Sequence, residues 1–239
     1  MKLPQHPLHW TSAVRPADAQ SVNVCVVPGG ARASGGRADA LVVLDCNEIA
    51  RRAEYGLHAV TALPVLDALM NLPWRVPVRT DELGERCSRL LSAAPRGAIE
   101  WDGGGIIRLL TPPLTVLAAV VDGSIGRSTL ARAQQFAPFA QRVLMLPSPP
   151  PRSGMFAWEA EAAGVGIWVG KDVHSAAELV APQPFVRSYF KPAAWRFAER
   201  ALHSATSAAS GRRESSVGRP VRRPLHTVDE VPGQLRLSS

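Results

Sequence analysis

The run Val116 to Val121, VLAAVV, contains no polar residue. A strand with one wet face alternates apolar and polar residues, because successive side chains point to opposite sides. An unbroken apolar run of strand length therefore reads as a strand covered on both faces. It predicts a strand in the middle of a sheet, and so an α/β fold with a central mixed sheet flanked by helices. It is also the longest apolar run in the chain, far short of the ~20 residues that cross a bilayer.

The surrounding elements are read from periodicity and punctuation. Residues 1–20 carry Pro4, Pro7 and Pro16 among polar residues and predict an extended arm. Val22 to Val27 reads as a strand closed by Pro28-Gly29-Gly30, residues 31–38 (ARASGGRA) as a flexible loop, and Leu41 to Leu44 as a second strand. Asn47 to Tyr55 is a short helix stopped by Gly56. Leu63, Leu66, Leu69 and Met70 recur at helical spacing over 61–71, and Pro73 ends that helix. RVPVR (75–79) is extended, and Thr80 caps a helix running to Pro95. AIEWD and GIIRLL around Gly103-Gly104 form a hairpin over 98–110.

After the apolar strand, the loop DGSIGR leads to a helix capped by Ser128 or Thr129, then a strand at Val143 to Leu146. A helix at Phe156 to Ala163, a strand at Val165 to Val169, a short helix at 175–180 and a last helix from Pro192 follow. Residues 21–203 make one α/β domain on this reading. Residues 204–239 are rich in Ser, Gly, Arg and Pro and poor in large apolar side chains, which predicts a disordered basic tail.

With 46% hydrophobic residues the chain has the makings of a sizeable core. Its net charge is +7, and six arginines against three acids place +3 of that beyond residue 203. Basic residues are nearly all arginine, the lysines being Lys2, Lys171 and Lys191 alone, a bias that fits a GC-rich genome. Whatever its origin, this charge draws the chain to polyanions, so DNA is the expected partner. Cys25, Cys46 and Cys87 form no CxxC pair, which points away from a disulfide framework or a zinc site. His6 and His9 have the HxxH spacing without a third ligand. The N-terminus, MKLPQHPLHW, lacks the apolar segment of a signal peptide, so the expected location is the cytoplasm, with no membrane partner.

Residues 81–169 run helix, strand, strand, strand, helix, strand, helix, strand, with a tight hairpin feeding the central apolar strand. That order resembles the restriction-endonuclease-like (PD-(D/E)xK) superfamily. LARAQQFAPFAQRVLML resembles the helix and strand after that family's catalytic strand, and EAEAAGVGIWV its closing helix and strand. The resemblance implies a nuclease-like core with an N-terminal α/β extension. It also implies a site with one acid on the hairpin, a second on the central strand and a lysine two residues later, holding Mg²⁺. Asp102 matches the first acid, with Glu100 on the same strand face; the central strand offers Val120 and Asp122 where the second acid and the lysine belong. No lysine stands between Lys2 and Lys171.

The favoured expectation is therefore a DNA-associating pseudo-nuclease without catalysis or cofactor, of the kind that serves in a defence, mobile-element or regulatory complex. The catalytic alternative is an acidic trio of Glu100, Asp102 and Asp122 holding Mg²⁺, with Arg127 in place of the lysine. The loop GSIGRST before a helix also suits an anion, although it lacks the lysine of a phosphate-binding loop. A competing parse takes 61–110 as resembling a winged-helix module, with Arg75, Arg79, Arg86, Arg89, Arg96 and Arg108 facing phosphates. Five acids (Asp81, Glu82, Glu85, Glu100 and Asp102) lie among these arginines, and the helix before the hairpin reads as one piece where a winged helix needs two. Arg127 and the tail's Arg212, Arg213, Arg222 and Arg223 complete the expected DNA contacts. A protein-interaction scaffold using the tail is the remaining class.

Overall fold

The computed structural model describes residues 24–151, 155–187 and 190–217. In chain order it begins with β1 (Val24–Ala33), β2 (Gly36–Leu44), α1 (Cys46–Tyr55), α2 (Leu63–Met70) and β3 (Pro77–Arg79). A 3-10 turn (Thr80–Glu82), α3 (Glu85–Ser92), β4 (Ile99–Asp102) and β5 (Gly105–Arg108) follow. The remainder is β6 (Leu114–Asp122), α4 (Arg127–Gln134), β7 (Gln141–Leu146), α5 (Phe156–Ala162), β8 (Gly166–Val169), β9 (Ala177–Val180) and α6 (Pro192–Val217).

The chain is an α/β protein on a six-stranded mixed sheet ordered β1-β2-β6-β7-β8-β9. β1, β2 and β6 form an antiparallel meander, while β7 and β8 add in parallel through α4 and α5. The all-apolar strand is central as expected. Ala119 and Val121 enter one cluster with Leu130 and Phe136, Phe156 and Ala160, and Phe197, Ala198 and Ala201, so α4, α5 and α6 cover that face. Ala118 and Val120 enter a second cluster with Leu41, Met145 and Trp168 on the opposite face. No helix of the described residues is long and apolar enough to cross a membrane.

The partner of the central strand differs from the sequence expectation. The hairpin at 98–110 does not pair with β6; it belongs to a separate sheet ordered β3-β5-β4. The hairpin feeding β6 is β1–β2: the two expected strands extend into 31–38, the segment expected to be a loop, and leave only its middle as the turn. Ser34 and Gly35 take φ of 47° and 84°, the left-handed pair of a two-residue turn that matches strand twist. Pro28-Gly29-Gly30 does not end β1, because a register shift between Val27 and Ala31 carries the strand past it.

Three other elements depart from expectation. Thr80 does not cap a continuous helix: the 3-10 turn stops at Glu82 and Gly84 precedes α3, so two helical pieces stand where one was expected. Residues 177–180 form β9 because β8 offers an open edge whose pairing outweighs local helix preference. The last helix runs to Val217, well into the segment expected to be disordered. The arm at 1–20 and the tail from 218 lie outside the described residues.

Residues 46–110 thus form an insert between β2 and β6 with its own core of Leu66, Leu69, Leu72, Leu91, Ile106 and Leu110. α6 joins the two bodies. Its Trp195 enters the insert's core while Phe197, Ala198 and Ala201 pack on the main sheet.

Candidate functional site

The β1–β2 hairpin brings a carboxylate to the central strand that sequence reading did not single out. Asp39 on β2 sits opposite Val120 on β6, and Asp122 lies two residues further along the same strand face. Asp39 Oδ1 accepts a 2.7 Å hydrogen bond from the Gly29 N–H. That donor is available because the β1 irregularity places Gly29 at φ 59°. The Arg37 guanidinium packs over Gly29 where a Cβ would otherwise stand. From α4, Arg132 Nη1 donates 3.4 Å to the Asp122 backbone oxygen. Together Pro28, Gly29, Arg37, Asp39, Asp122 and Arg132 line an open cleft of about 320 Å³.

Partial loss of water holds the Asp122 carboxyl above the usual carboxylate range, and the Asp39 charge adds to this while Arg132 opposes it. The cleft therefore gathers two carboxylates and two guanidinium groups. An arginine keeps its proton near neutral pH, so neither guanidinium is a proton acceptor for water. A divalent ion needs oxygen ligands in number, and Val120 supplies none. Among the described residues no three His, Cys, Asp or Glu side chains come together as a metal-holding group.

The acidic trio expected from sequence is not assembled. Glu100 and Asp102 lie exposed on β4 in the second sheet, whereas Asp122 ends β6 in the first. Arg127 does not reach the cleft; it approaches Glu159 at 3.5 Å, and Arg132 is the α4 arginine that lines it. The Thr129 side chain is buried against Gly123, so this part of the GSIGRST loop is packed inward.

The arginines of the insert divide by their partners. Arg79 and Arg89 pair with Asp81 and Glu85, both at 2.7 Å and exposed. Such pairs are screened and contribute little to stability. Arg75, Arg86 and Arg96 are exposed, and their side chains make no hydrogen bond or ion pair with the described residues. Arg108 is drawn inward, its Nη1 donating to the Leu69 oxygen at 3.2 Å. Arg212 and Arg213 fall near the end of α6, and Arg222 and Arg223 lie outside the described residues.

Asp39 was legible in one respect: a polar residue inside ADALVVL, four residues after Ser34-Gly35, is the pattern of a strand leaving a tight turn. Comparison with protein-family models, curated proteins and solved structures finds no match to this chain.

Proposed function

We propose that the chain is a cytoplasmic DNA-associating protein that does not cut DNA, built on a nuclease-like sheet with a winged-helix-like insert. The observation that carries this reading is that the two parses, which overlap over 81–110 in the sequence, each find support in a different sheet. The meander β1–β2–β6 followed by parallel β7 and β8 has the strand order implied by the nuclease resemblance, with another hairpin than expected. The insert runs α2, β3, a turn, α3 and the β4–β5 hairpin, and β3 pairs with β5. This order supports the winged-helix parse, and the break at Gly84 removes the objection that its helix is a single piece.

In the cleft, Asp39 corresponds to the first acid of the implied site. Val120 and Asp122 stand where the second acid and the lysine belong, so the centre has one matching position of three. With a valine in place of a ligand and a carboxylate in place of a cation, the reading is association without hydrolysis. The test is fluorescence anisotropy of the full chain with labelled duplex and single-stranded DNA across a salt series. The expected result is binding whose log Kobs falls linearly with log salt. Absence of binding to either DNA at low salt would overturn the reading and leave the protein-scaffold class.

A further inference from the structure

One end of the three-stranded sheet carries a row of arginine and aromatic side chains. Trp74 bridges Arg108, Arg108 faces Ile99 across β5 and β4, and Ile99 is bridged by Arg96. At about 4.8 Å per strand the row is about 14 Å long. No carboxylate occupies a position in it.

Each flank of the row presents an aromatic ring with an arginine over it. On one side Trp74 is 39% exposed, with the Arg75 guanidinium 4.8 Å from its ring centroid. On the other, Tyr55 is 44% exposed and packs where a Gly97 Cβ would stand, with Arg51 5.8 Å from its centroid. Arg75 holds a left-handed φ of 56°, which is strained for a residue with a side chain, and its N–H donates to the Arg108 oxygen at 3.0 Å. Between the flanks the Arg108 Nε is buried without a partner, and its guanidinium lies 5.8 Å from the Trp195 ring.

A core has no use for two exposed rings, two unpaired surface arginines and a buried guanidinium that no carboxylate neutralises. Bases in a duplex hide their faces from such rings, whereas unpaired bases offer a π-face to each. We propose that this end of the sheet binds single-stranded DNA, bases stacking on Trp74 and Tyr55 and phosphates passing Arg75 and Arg96. The inference rests on the DNA reading above and adds the strandedness of the ligand.

The test measures anisotropy of the full chain with labelled oligo-dT of about twenty nucleotides and with a mixed duplex of equal length. Wild type is expected to bind oligo-dT more tightly than duplex. Trp74→Ala should weaken oligo-dT binding about tenfold, with duplex binding within about twofold, while Trp74→Phe stays within about threefold of wild type. Arg96→Ser should reduce the single-strand salt slope by about 0.7. If Trp74→Ala loses its thermal transition, Tyr55→Leu, at an exposed ring, carries the same comparison. Duplex binding without preference for oligo-dT, or an oligo-dT affinity indifferent to these substitutions, overturns this inference and leaves the DNA reading standing. Binding to neither ligand defeats the DNA reading itself.

Discussion

Arg52 and Glu199, 147 residues apart in the chain, face each other through two hydrogen bonds of 2.8 and 2.7 Å. Both side chains are buried, and each is further satisfied: Arg52 reaches Glu48 and the Thr111 oxygen, and Glu199 accepts from Trp195 Nε1 and the Val60 N–H. Val60 belongs to the core of the insert and Thr111 directly follows its end, so one pair ties both the insert and its exit to α6.

Removing one partner leaves the other charge buried and unmatched. Glu199→Ala should therefore lower unfolding free energy by about 3–5 kcal/mol in urea titrations. Replacing both, as Arg52→Leu with Glu199→Leu, should recover a good part of that loss. A double variant as unstable as the single one would mean that the Val60 and Thr111 contacts, rather than the charges, hold the joint.

Glu48 should make the fold acid-sensitive. Burial alone would raise its pKa, but hydrogen bonds from Arg51 and Arg52 outweigh this and hold it below its ordinary value of 4.5. A lowered carboxyl contributes stability in full above the unfolded pKa and loses it as pH falls through the folded pKa. The stability gap between wild type and Glu48→Gln should be constant near neutrality and shrink below about pH 4.5. Parallel pH profiles would show that this carboxylate is not the responsible group.

At the cleft the sign reverses. The Asp122 carboxyl is raised by desolvation and then by Asp39, so its contribution turns unfavourable as pH rises above the unfolded value of 3.8. Asp122→Asn should slightly raise the thermal midpoint at pH 7, an advantage that disappears in acid. A lower midpoint at both pH values would assign Asp122 a structural role instead.

Plasmid nicking by purified wild type in Mg²⁺ or Mn²⁺ should not exceed that of Asp39→Asn. Metal-dependent cleavage that Asp39→Asn abolishes would make the cleft a working centre despite Val120.

The tail acts through charge alone on this reading. Cutting after Val217 spares α6 and removes Arg219, Arg222, Arg223 and Arg236 against Asp229 and Glu230. The truncated chain should bind DNA more weakly, with a salt slope flatter by about 0.9 for each duplex phosphate the tail had neutralised. An unchanged slope would place every phosphate contact in the folded part.

The parts of the fold legible in the sequence were those governed by burial. VLAAVV announced a two-faced central strand, and VLML and VGIWV two further strands. Pairing was not legible, because two hairpins competed for one strand. Gly103-Gly104 is the stronger turn signal, whereas Ser34-Gly35 lies in a small-residue stretch that resembles a loop. The stronger signal points to Asp102 beside the central strand, whereas the structure pairs Asp39 with it and sets the 98–110 hairpin in the insert. Arg75 stood among the expected phosphate contacts, but its stacking on Trp74 was not legible, because it depends on one left-handed residue that no composition rule predicts.

The pairing of β2 with β6 also orders events on the ribosome. β1 and β2 emerge first, but β2 stays a raw edge until the whole insert has been synthesised. The insert has local contacts and its own core, so it can fold during that interval while the hairpin waits. Glu199 arrives later still, after β9, and only then can Arg52 leave water for its partner. A nascent chain stalled before α6 would lack both Trp195 in the core of the insert and the cover that Phe197, Ala198 and Ala201 give the main sheet.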